Sequence, residues 1–501
     1  MRIVLQSDRI EDYRLFLKIK ALPKFHFEGR TAVFPDEYAA TLGIATKTIK
    51  ASAYHPSPFL FDYQKDIVQL VLHRNKFAIF ADCGLGKTLI FLEVASEWLK
   101  TLEGNKSVLI VSPLMVIPQT IDECKRFYGD KIRIRQVRAN ELISELRTCH
   151  GEILITNYDA LTDDLVQGNL GALILDESSM LKSHYGKWGQ TCIRIGKGLK
   201  YKLCCTGTPA PNDRIEYANH AVFLDSFPTV NSFLAKFFVN TGQTNERWKL
   251  KHHALSPFYT ALSHWSIFLQ KPAVYGWKDN CDDIPPIKIH IHNVPLTSEQ
   301  QDLVFDQTGS LFADQVGGIT SRSVLSQIAK GNHRGRNVAT NKIKHMQCMV
   351  SSWPDESTII WCKYNREQEI VAEAFPDAHS ISGTTSHDDR MEMIDDFKSG
   401  RCRTIISKPK ILGFGLNLQQ ATRQIFSGLQ DSYEEFYQAV KRSNRYGSTR
   451  PLNVHIPVTD IERPMIDTVL RKAKMVQEDT EQQEAIFRKV SSTFRSYINA
   501  D

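Results

Sequence analysis

No stretch of the 501 residues stays apolar for the ~18 positions that a membrane-spanning helix requires. The ten cysteines include no C-x-x-C pair, and Cys204, Cys205 and Cys362 have apolar, strand-like neighbours. That argues against a zinc module and for reduced, buried thiols. The opening residues Met1–Asp8 lack the apolar core of a signal peptide. The expected compartment is therefore cytoplasmic, in a bacterial or phage-infected cell, or nuclear if the source is eukaryotic. Charge of one sign is not in large excess: 62 Lys and Arg oppose 56 Asp and Glu, for a net +6. Such a balance permits a polyanionic partner without demanding one. Internal repeats and low-complexity tracts are also missing. What remains is an ordinary globular composition in a chain too long for one core, so two to four domains are expected.

Against these absences stands Ala81-Asp82-Cys83-Gly84-Leu85-Gly86-Lys87-Thr88. It follows the apolar run Phe77–Phe80, which reads as a buried strand, and precedes Leu89–Ala95, which reads as a helix. Strand, glycine loop and helix form the setting that holds a nucleoside triphosphate. Gly84 and Gly86 let backbone N–H groups close around phosphates. Lys87 can reach the β- and γ-phosphates, and the Thr88 hydroxyl can ligate Mg²⁺. The general pattern begins with Gly, where this chain has Ala81. A second apolar run, Leu173–Leu175, ends in Asp176-Glu177-Ser178-Ser179. Two acids at the carboxyl end of a strand can hold the metal (Asp176, through water) and orient and deprotonate an attacking water (Glu177). Gln64 stands 23 residues before Lys87, and its amide can read an adenine edge.

Residues 1–55 read as a small α+β unit: a helix over Ile10–Ile19, a hairpin over Phe25–Phe34 turning near Gly29, and a short helix over Glu37–Leu42. His55–Pro58 reads as a linker. Over 56–225 strands and helices alternate, with strands at Phe77–Phe80, Val108–Val111, Ile132–Val137, Ile153–Thr156, Leu173–Leu175 and Tyr201–Thr206. Alternation of this kind predicts a parallel sheet covered on both faces. Strand signals fade over 226–285, where Phe233, Phe237, Phe238, Phe258, Trp265 and Phe268 suggest a helical insertion, with a linker reaching to 340. A second alternating region, 341–460, has strands at Ser357–Cys362, His379–Ile381, Thr404–Ser407, Gln424–Ser427 and Asn453–Ile456. A polar helical extension occupies 461–501. Two basic runs, Lys131–Arg135 and His333–Arg336, read as a solvated edge strand and as a loop suited to nucleic acid.

Further motifs follow the strands in order. Ser112-Pro113-Leu114 and Thr156-Asn157-Tyr158-Asp159 come in the first region, as does Thr206-Gly207-Thr208-Pro209-Ala210-Pro211-Asn212. Gly413-Phe414-Gly415-Leu416-Asn417-Leu418 and Gln438-Ala439-Val440-Lys441-Arg442-Ser443-Asn444-Arg445 come in the second. Arg442 and Arg445, at i and i+3, would share one helix face. As a set, these motifs resemble those of the superfamily 2 helicases and translocases of Snf2 type, over roughly 59–460. The segment 284–304 is similar to the Snf2 connection between lobes, and the insertion to the Snf2 protrusion. Ser178 departs from the usual residue after Asp-Glu, and Phe426-Ser427-Gly428-Leu429 stands where that group often carries an Asp. The first residues resemble the HARP-type module of annealing helicases and the N-terminal module of phage branch-migration helicases of UvsW type.

The resemblance implies an α/β fold of two RecA-like parallel-sheet lobes with a helical insertion and a small α+β N-terminal domain. It implies ATP and Mg²⁺ as cofactors, with Gln64, Gly84, Gly86, Lys87, Thr88 and Gly415 at the nucleotide and Thr88 and Asp176 at the metal. Lys87, Asp176, Glu177, Arg442 and Arg445 become the catalytic set, the arginines acting as fingers. Ser112, Thr156, Tyr158 and Asn417 become nucleic-acid contacts, and Thr206 and Thr208 couple nucleotide state to movement. The implied activity is a DNA-dependent ATPase that remodels forked or four-way DNA as a monomer, in replication, recombination or repair. An RNA helicase of the same superfamily, or a nucleotide-gated DNA clamp that moves little, are the other readings.

Overall fold

The computed structural model describes residues 1–22, 25–34, 38–39, 42–44, 54–182, 186–242, 248–278, 284–308, 319–412, 417–428, 432–445 and 447–498. They group into two compact units, Met1–Asp279 together with Val476–Asp501, and Asn280–Met475. Among the described residues no helix is long and apolar enough to cross a membrane.

The chain begins with a three-stranded antiparallel sheet, β1 (Arg2–Val4), β2 (His26–Glu28) and β3 (Thr31–Val33), in the order β1-β3-β2. A helix over Ile10–Lys20 buries Ile19 against Leu22, Ala32 and Phe34. The helix and hairpin were legible in the sequence; three-residue β1 carries too little pattern to be read. Of the short helix expected over Glu37–Leu42, residues 37, 40 and 41 lie outside the described residues, and Leu42 N donates to the Tyr38 and Ala39 carbonyls at 3.2 and 3.1 Å. This small sheet packs within the first unit: Lys236 Nζ donates to the Leu22 carbonyl at 2.7 Å, and Tyr38 meets His264 edge-on.

The strands that follow are β4 (Lys76–Ala81), β5 (Ser107–Val111), β6 (Ile134–Gln136), β7 (Ile153–Thr156), β8 (Leu170–Asp176) and β9 (Tyr201–Thr206). A ribbon, β10 (Phe238–Asn240) and β11 (Trp248–Leu250), precedes β12 (Ser266–Leu269). Seven of these form one parallel sheet, ordered β12-β4-β9-β8-β5-β7-β6. Central strands such as β5, β8 and β9 are buried along their whole length, as a sheet with helices on both faces requires. β6 is an edge strand, and the basic run beside it is neutralised locally: Arg135 pairs with Glu145 and Glu152, and Arg133 with Asp130.

The 226–285 region, read as mostly helical, also holds strands, and one of them, Ser266–Leu269, extends the sheet beside β4. Its aromatics hid it. Trp265 and Phe268 pack edge-on against Phe80 of β4, so spacing that resembled a helix face reflects packing on the sheet. Phe233, Phe237 and Phe258 do come from helices, and they join the same core.

The second unit holds β13 (Ile287–Asn293), a hairpin of β14 (Asn332–His333) and β15 (Arg336–Asn337), then β16 (Thr358–Trp361), β17 (His379–Ile381), β18 (Thr404–Ser407), β19 (Arg423–Phe426) and β20 (Leu452–Val458). Its parallel sheet runs β13-β20-β19-β16-β18-β17. Residues 287–293, similar in sequence to an inter-lobe connection, are thus an edge strand of this sheet. Exposed Arg334 and Arg336 sit on the tight β14–β15 hairpin.

Below the carboxyl ends of β16 and β19, charges are buried as a balanced group. Lys342 Nζ contacts the Glu462 carboxylate and donates to the Ser427 carbonyl at 2.7 Å. Lys330 Nζ lies 3.8 Å from Glu462, and the Ser427 hydroxyl donates to Glu367. Glu367 also accepts the backbone N–H groups of Lys363 and Tyr364 at 2.7 and 2.9 Å. Ser427, in the segment where an acid was expected from the resemblance, is therefore flanked by acids from elsewhere in the chain.

The last helix, Arg463–Ile498, starts among second-unit residues and ends among first-unit residues. Its later half is fixed by buried polar contacts. Asp479 accepts from Arg214 Nε at 2.9 Å and from the Tyr259 hydroxyl at 2.6 Å, and Glu484 accepts from Gln270 N at 3.0 Å.

Candidate active site

β4 ends at Ala81, and the helix Lys87–Thr101 begins six residues later. The turn between them needs left-handed backbone at Gly84 (φ 88°) and Gly86 (φ 67°). A Cβ on Gly86 would lie 2.3 Å from Gln64 Nε2, so the loop is closed from outside by this glutamine. Gln64 is buried, donates to the Leu85 carbonyl at 3.3 Å and accepts from Phe61 N at 2.9 Å. Its amide thus already braces the loop. Lys87 Nζ folds back on the loop, donating to the carbonyls of Ala81 at 2.8 Å and Asp82 at 3.2 Å. Burial works against the ammonium, but Cys83, Glu177, Asp82 and Asp176 outweigh it and raise the lysine above its ordinary value. Thr88 follows as the second residue of the helix.

Asp176 closes β8, which neighbours β9, which neighbours β4, so the acids and the glycine loop share one end of the sheet. Burial and the adjacent Glu177 push the Asp176 carboxyl up to about 7, against the opposing pull of Ser112 and Lys87. Glu177 has φ 47° and ψ 51°, a left-handed conformation rare for a residue with a side chain. Its carboxylate accepts from the Thr206 hydroxyl at 3.3 Å, and Thr206 Oγ1 accepts from Thr208 N at 3.2 Å. A positive lysine beside glycine-exposed N–H groups, with two carboxylates nearby, fits a triphosphate and a divalent cation.

Three residues expected at the surface lie inside. Ser112, Thr156 and Tyr158 are 0, 0 and 2% exposed. Ser112 Oγ donates to Asp176 Oδ2 at 2.8 Å, and the Tyr158 hydroxyl to the Asp176 carbonyl at 2.7 Å. Thr156 Oγ1 donates to the Val137 carbonyl at 2.9 Å. A polar residue after a strand looks alike in sequence whether it points outward or braces its neighbour.

In the second unit, the helix expected to carry both arginines is Tyr433–Val440, and it stops short of them. Arg442 and Arg445 lie in the turns that follow, not on one helix face. Other bonds hold the residues after it: Gln424 Nε2 donates to Ser443 Oγ at 2.8 Å, Asn444 Nδ2 to the distant Pro285 carbonyl at 2.7 Å, and Ser448 Oγ to the Ser443 carbonyl at 2.7 Å. Arg442 is buried, and its carbonyl accepts from Leu418 N at 3.0 Å, which brings the Asn417 segment beside it. Asn417 is exposed, and Gly415 lies outside the described residues.

Sequence reasoning missed the support beneath the acids. In the helix Tyr217–Phe223, Asn219 Nδ2 donates to the Leu181 carbonyl at 2.5 Å, and His220 Nε2 lies 3.1 Å from Ser178 Oγ. The one signal available was the unusual serine after Asp176-Glu177.

Comparison with known proteins bears on the same elements. The SNF2-related domain model matches residues 63–348, and the helicase conserved C-terminal domain model matches residues 341–447. A putative protein p41 of Acyrthosiphon pisum secondary endosymbiont phage 1 is 23% identical, over 78% of this chain and 91% of its own. The Bos taurus DNA annealing helicase and endonuclease ZRANB3 is 22% identical over 83% of this chain and 40% of its own. A Drosophila melanogaster SWI/SNF-related matrix-associated actin-dependent regulator of chromatin subfamily A-like protein 1 is 21% identical over 78% and 52%. The chain thus spans about half the length, or less, of these two animal relatives. Among solved structures, the Sulfolobus solfataricus SWI2/SNF2 ATPase core in complex with dsDNA aligns at 20% identity, covering 89% of this chain and 99% of that one, with a TM-score of 0.41.

Proposed function

The chain belongs to the SNF2-related family, and we propose that it is an ATP-dependent DNA translocase that remodels branched DNA. The observation that carries the ATPase reading is the convergence of Lys87, Asp176 and Glu177 at one end of the first sheet. Lys87 exchanges its loop carbonyls for the β- and γ-phosphates. Glu177, held by Thr206, orients the attacking water and takes its proton. Thr88 and Asp176 would hold Mg²⁺, which would supply charge neutralisation on the phosphates. Ser112 and Tyr158 act as positioning groups for Asp176 rather than as nucleic-acid contacts. Arg442 and Arg445 take the remaining charge on the transferring phosphoryl group. Thr206 and Thr208 link Glu177 to the 206–212 segment, through which nucleotide state is passed on.

Branched DNA is favoured over RNA or a static clamp by the annealing helicase among the relatives. The N-terminal sheet supplies a candidate recognition surface. Ile10, Tyr13 and Leu17 are exposed on one helix, beside exposed Lys18, Lys20 and Arg30. One exposed aromatic, Tyr13, among cations suits stacking and phosphate contact.

ATPase rates with single-stranded, duplex, forked and four-way DNA and with RNA test the reading, with Glu177→Gln as the inactive control. Branched DNA should stimulate most, and Lys18→Ala with Arg30→Ala should narrow its lead over linear duplex. Equal stimulation by RNA would overturn the DNA assignment. Turnover without any nucleic-acid response would overturn translocation.

A further inference from the structure

We infer that His220 and Ser178 form a positioning pair that holds Glu177 in its left-handed conformation; this rests on the reading of Glu177 as the residue that orients water. Glu177 is followed at once by a short turn over Ser178–Leu181. Both ends of that turn are held by consecutive residues of one helix. Asn219 binds the Leu181 carbonyl at 2.5 Å, and His220 Nε2 meets the Ser178 hydroxyl at 3.1 Å. Ser178, Asn219 and His220 are all at most 1% exposed.

The ring is held from both sides. His220 Nδ1 lies 3.4 Å from the Glu216 carbonyl, and Nε2 faces Ser178, whose hydroxyl is 3.1 Å away and whose backbone also bonds the ring. Burial pulls the imidazole down to about 4, so the ring stays neutral across the physiological range. Phe80, the residue before the last of β4, meets the His220 ring edge-on at 5.3 Å and fixes its plane.

The same helix turn reaches the coupling segment. The Glu216 carboxylate accepts from Asn212 N at 3.0 Å and Asn212 Nδ2 at 2.9 Å. Glu177 is thereby fixed from two sides: its carboxylate by Thr206, and its backbone, through Ser178, by His220. A small rotation of the turn moves the carboxylate away from the water it orients, and displacements near 1 Å cost catalysis heavily. Ser178, the departure from the usual residue after Asp-Glu, is the half of the pair that makes His220 useful.

Ser178→Ala, His220→Leu and the double variant test this in the full chain, with melting temperature, kcat and KM for ATP measured on each. Each single variant should lower kcat about tenfold to a hundredfold with KM within about twofold. The double variant removes both polar partners and should regain part of its thermal stability, because neither member of the pair is left facing an apolar replacement. Its kcat should stay as low as in the singles, since both delete one interaction. His220→Gln, which can place an amide oxygen near Nε2, should recover kcat. The pair is a packing detail only, and the proposal fails, if kcat returns with stability in the double variant or stays near the parent in Ser178→Ala. Glu177→Gln, run alongside, separates the two readings. If it turns over ATP normally, the role of Glu177 fails; if it is inactive while Ser178→Ala is normal, only the pair does.

Discussion

Both units bury carboxylates at the carboxyl ends of central parallel strands, and they treat them in opposite ways. In the second unit Glu462 pairs with Lys330 and Lys342, and Glu367, which burial raises, feels the same two lysines and accepts two backbone N–H groups. In the first, Asp176 is buried beside another acid, and its carboxyl is raised to about 7. Lys87 stands nearby but donates to loop carbonyls. The balanced group holds elements together. The unbalanced one stores unfavourable electrostatics that a cation and a triphosphate would relieve, and such imbalance is where chemistry is found. The difference teaches that burial of charge alone does not mark a site; the lack of internal compensation does.

The comparison breaks most sharply in turnover. Lys87→Ala and Glu177→Gln should each lower kcat about 10³-fold, and Glu177→Gln should still bind ATP in a filter or fluorescence assay. Arg442→Ala and Arg445→Ala should cost a similar factor if both are fingers, with DNA affinity little changed. The balanced group should respond in stability instead. Lys342→Met strands part of a buried acid and should cost about 3–5 kcal/mol in urea denaturation, whereas Glu177→Gln should leave stability unchanged or raise it.

A finer contrast lies in pH dependence. The folded state binds the Asp176 proton more tightly than the unfolded chain, whose ordinary value is 3.8. Its contribution to stability is therefore full below about 4 and is lost as pH rises through about 7. Glu177→Gln removes the adjacent charge, so denaturation curves between these limits should flatten relative to the parent. The smallest effect is conformational. Glu177→Gly relieves left-handed backbone at the site and should stabilise the protein by about 1 kcal/mol while abolishing turnover.

Legibility in the sequence followed physical rules. Tyr201–Thr206 and Thr404–Ser407 are found at their expected limits, because inner strands of a sheet covered on both faces carry apolar runs; the edge strand His379–Ile381 is found at its limits as well. The glycine loop and the Asp176-Glu177 pair were legible because a strand, a glycine turn and a helix, and two acids ending an apolar run, are patterns contained within a few neighbouring residues. Ser266–Leu269 was not, since its aromatics answer to a neighbouring strand distant in the chain. The inward turn of Ser112 and Tyr158 was hidden for the same reason. So were the left-handed backbone at Glu177 and the contact of Ser178 with His220, which lies 42 residues away. Arg442 and Arg445 were placed on a helix because spacing alone cannot show that Ser443 and Asn444 are bonded by Gln424 and Pro285, which are distant in the chain.

The Arg463–Ile498 helix sets an order of events for a chain leaving the ribosome. Asp479, Gln483 and Glu484 complete polar contacts with Arg214, Tyr259 and Gln270, yet the whole Asn280–Met475 segment is made between them. At about 5–20 residues per second, synthesis of that segment takes about 10–40 s. During that interval Tyr259, Gln270 and Tyr275 lack the surface that will cover them. The unit translated first is the one finished last, and its exposed flank is where a nascent chain of this protein would need a chaperone.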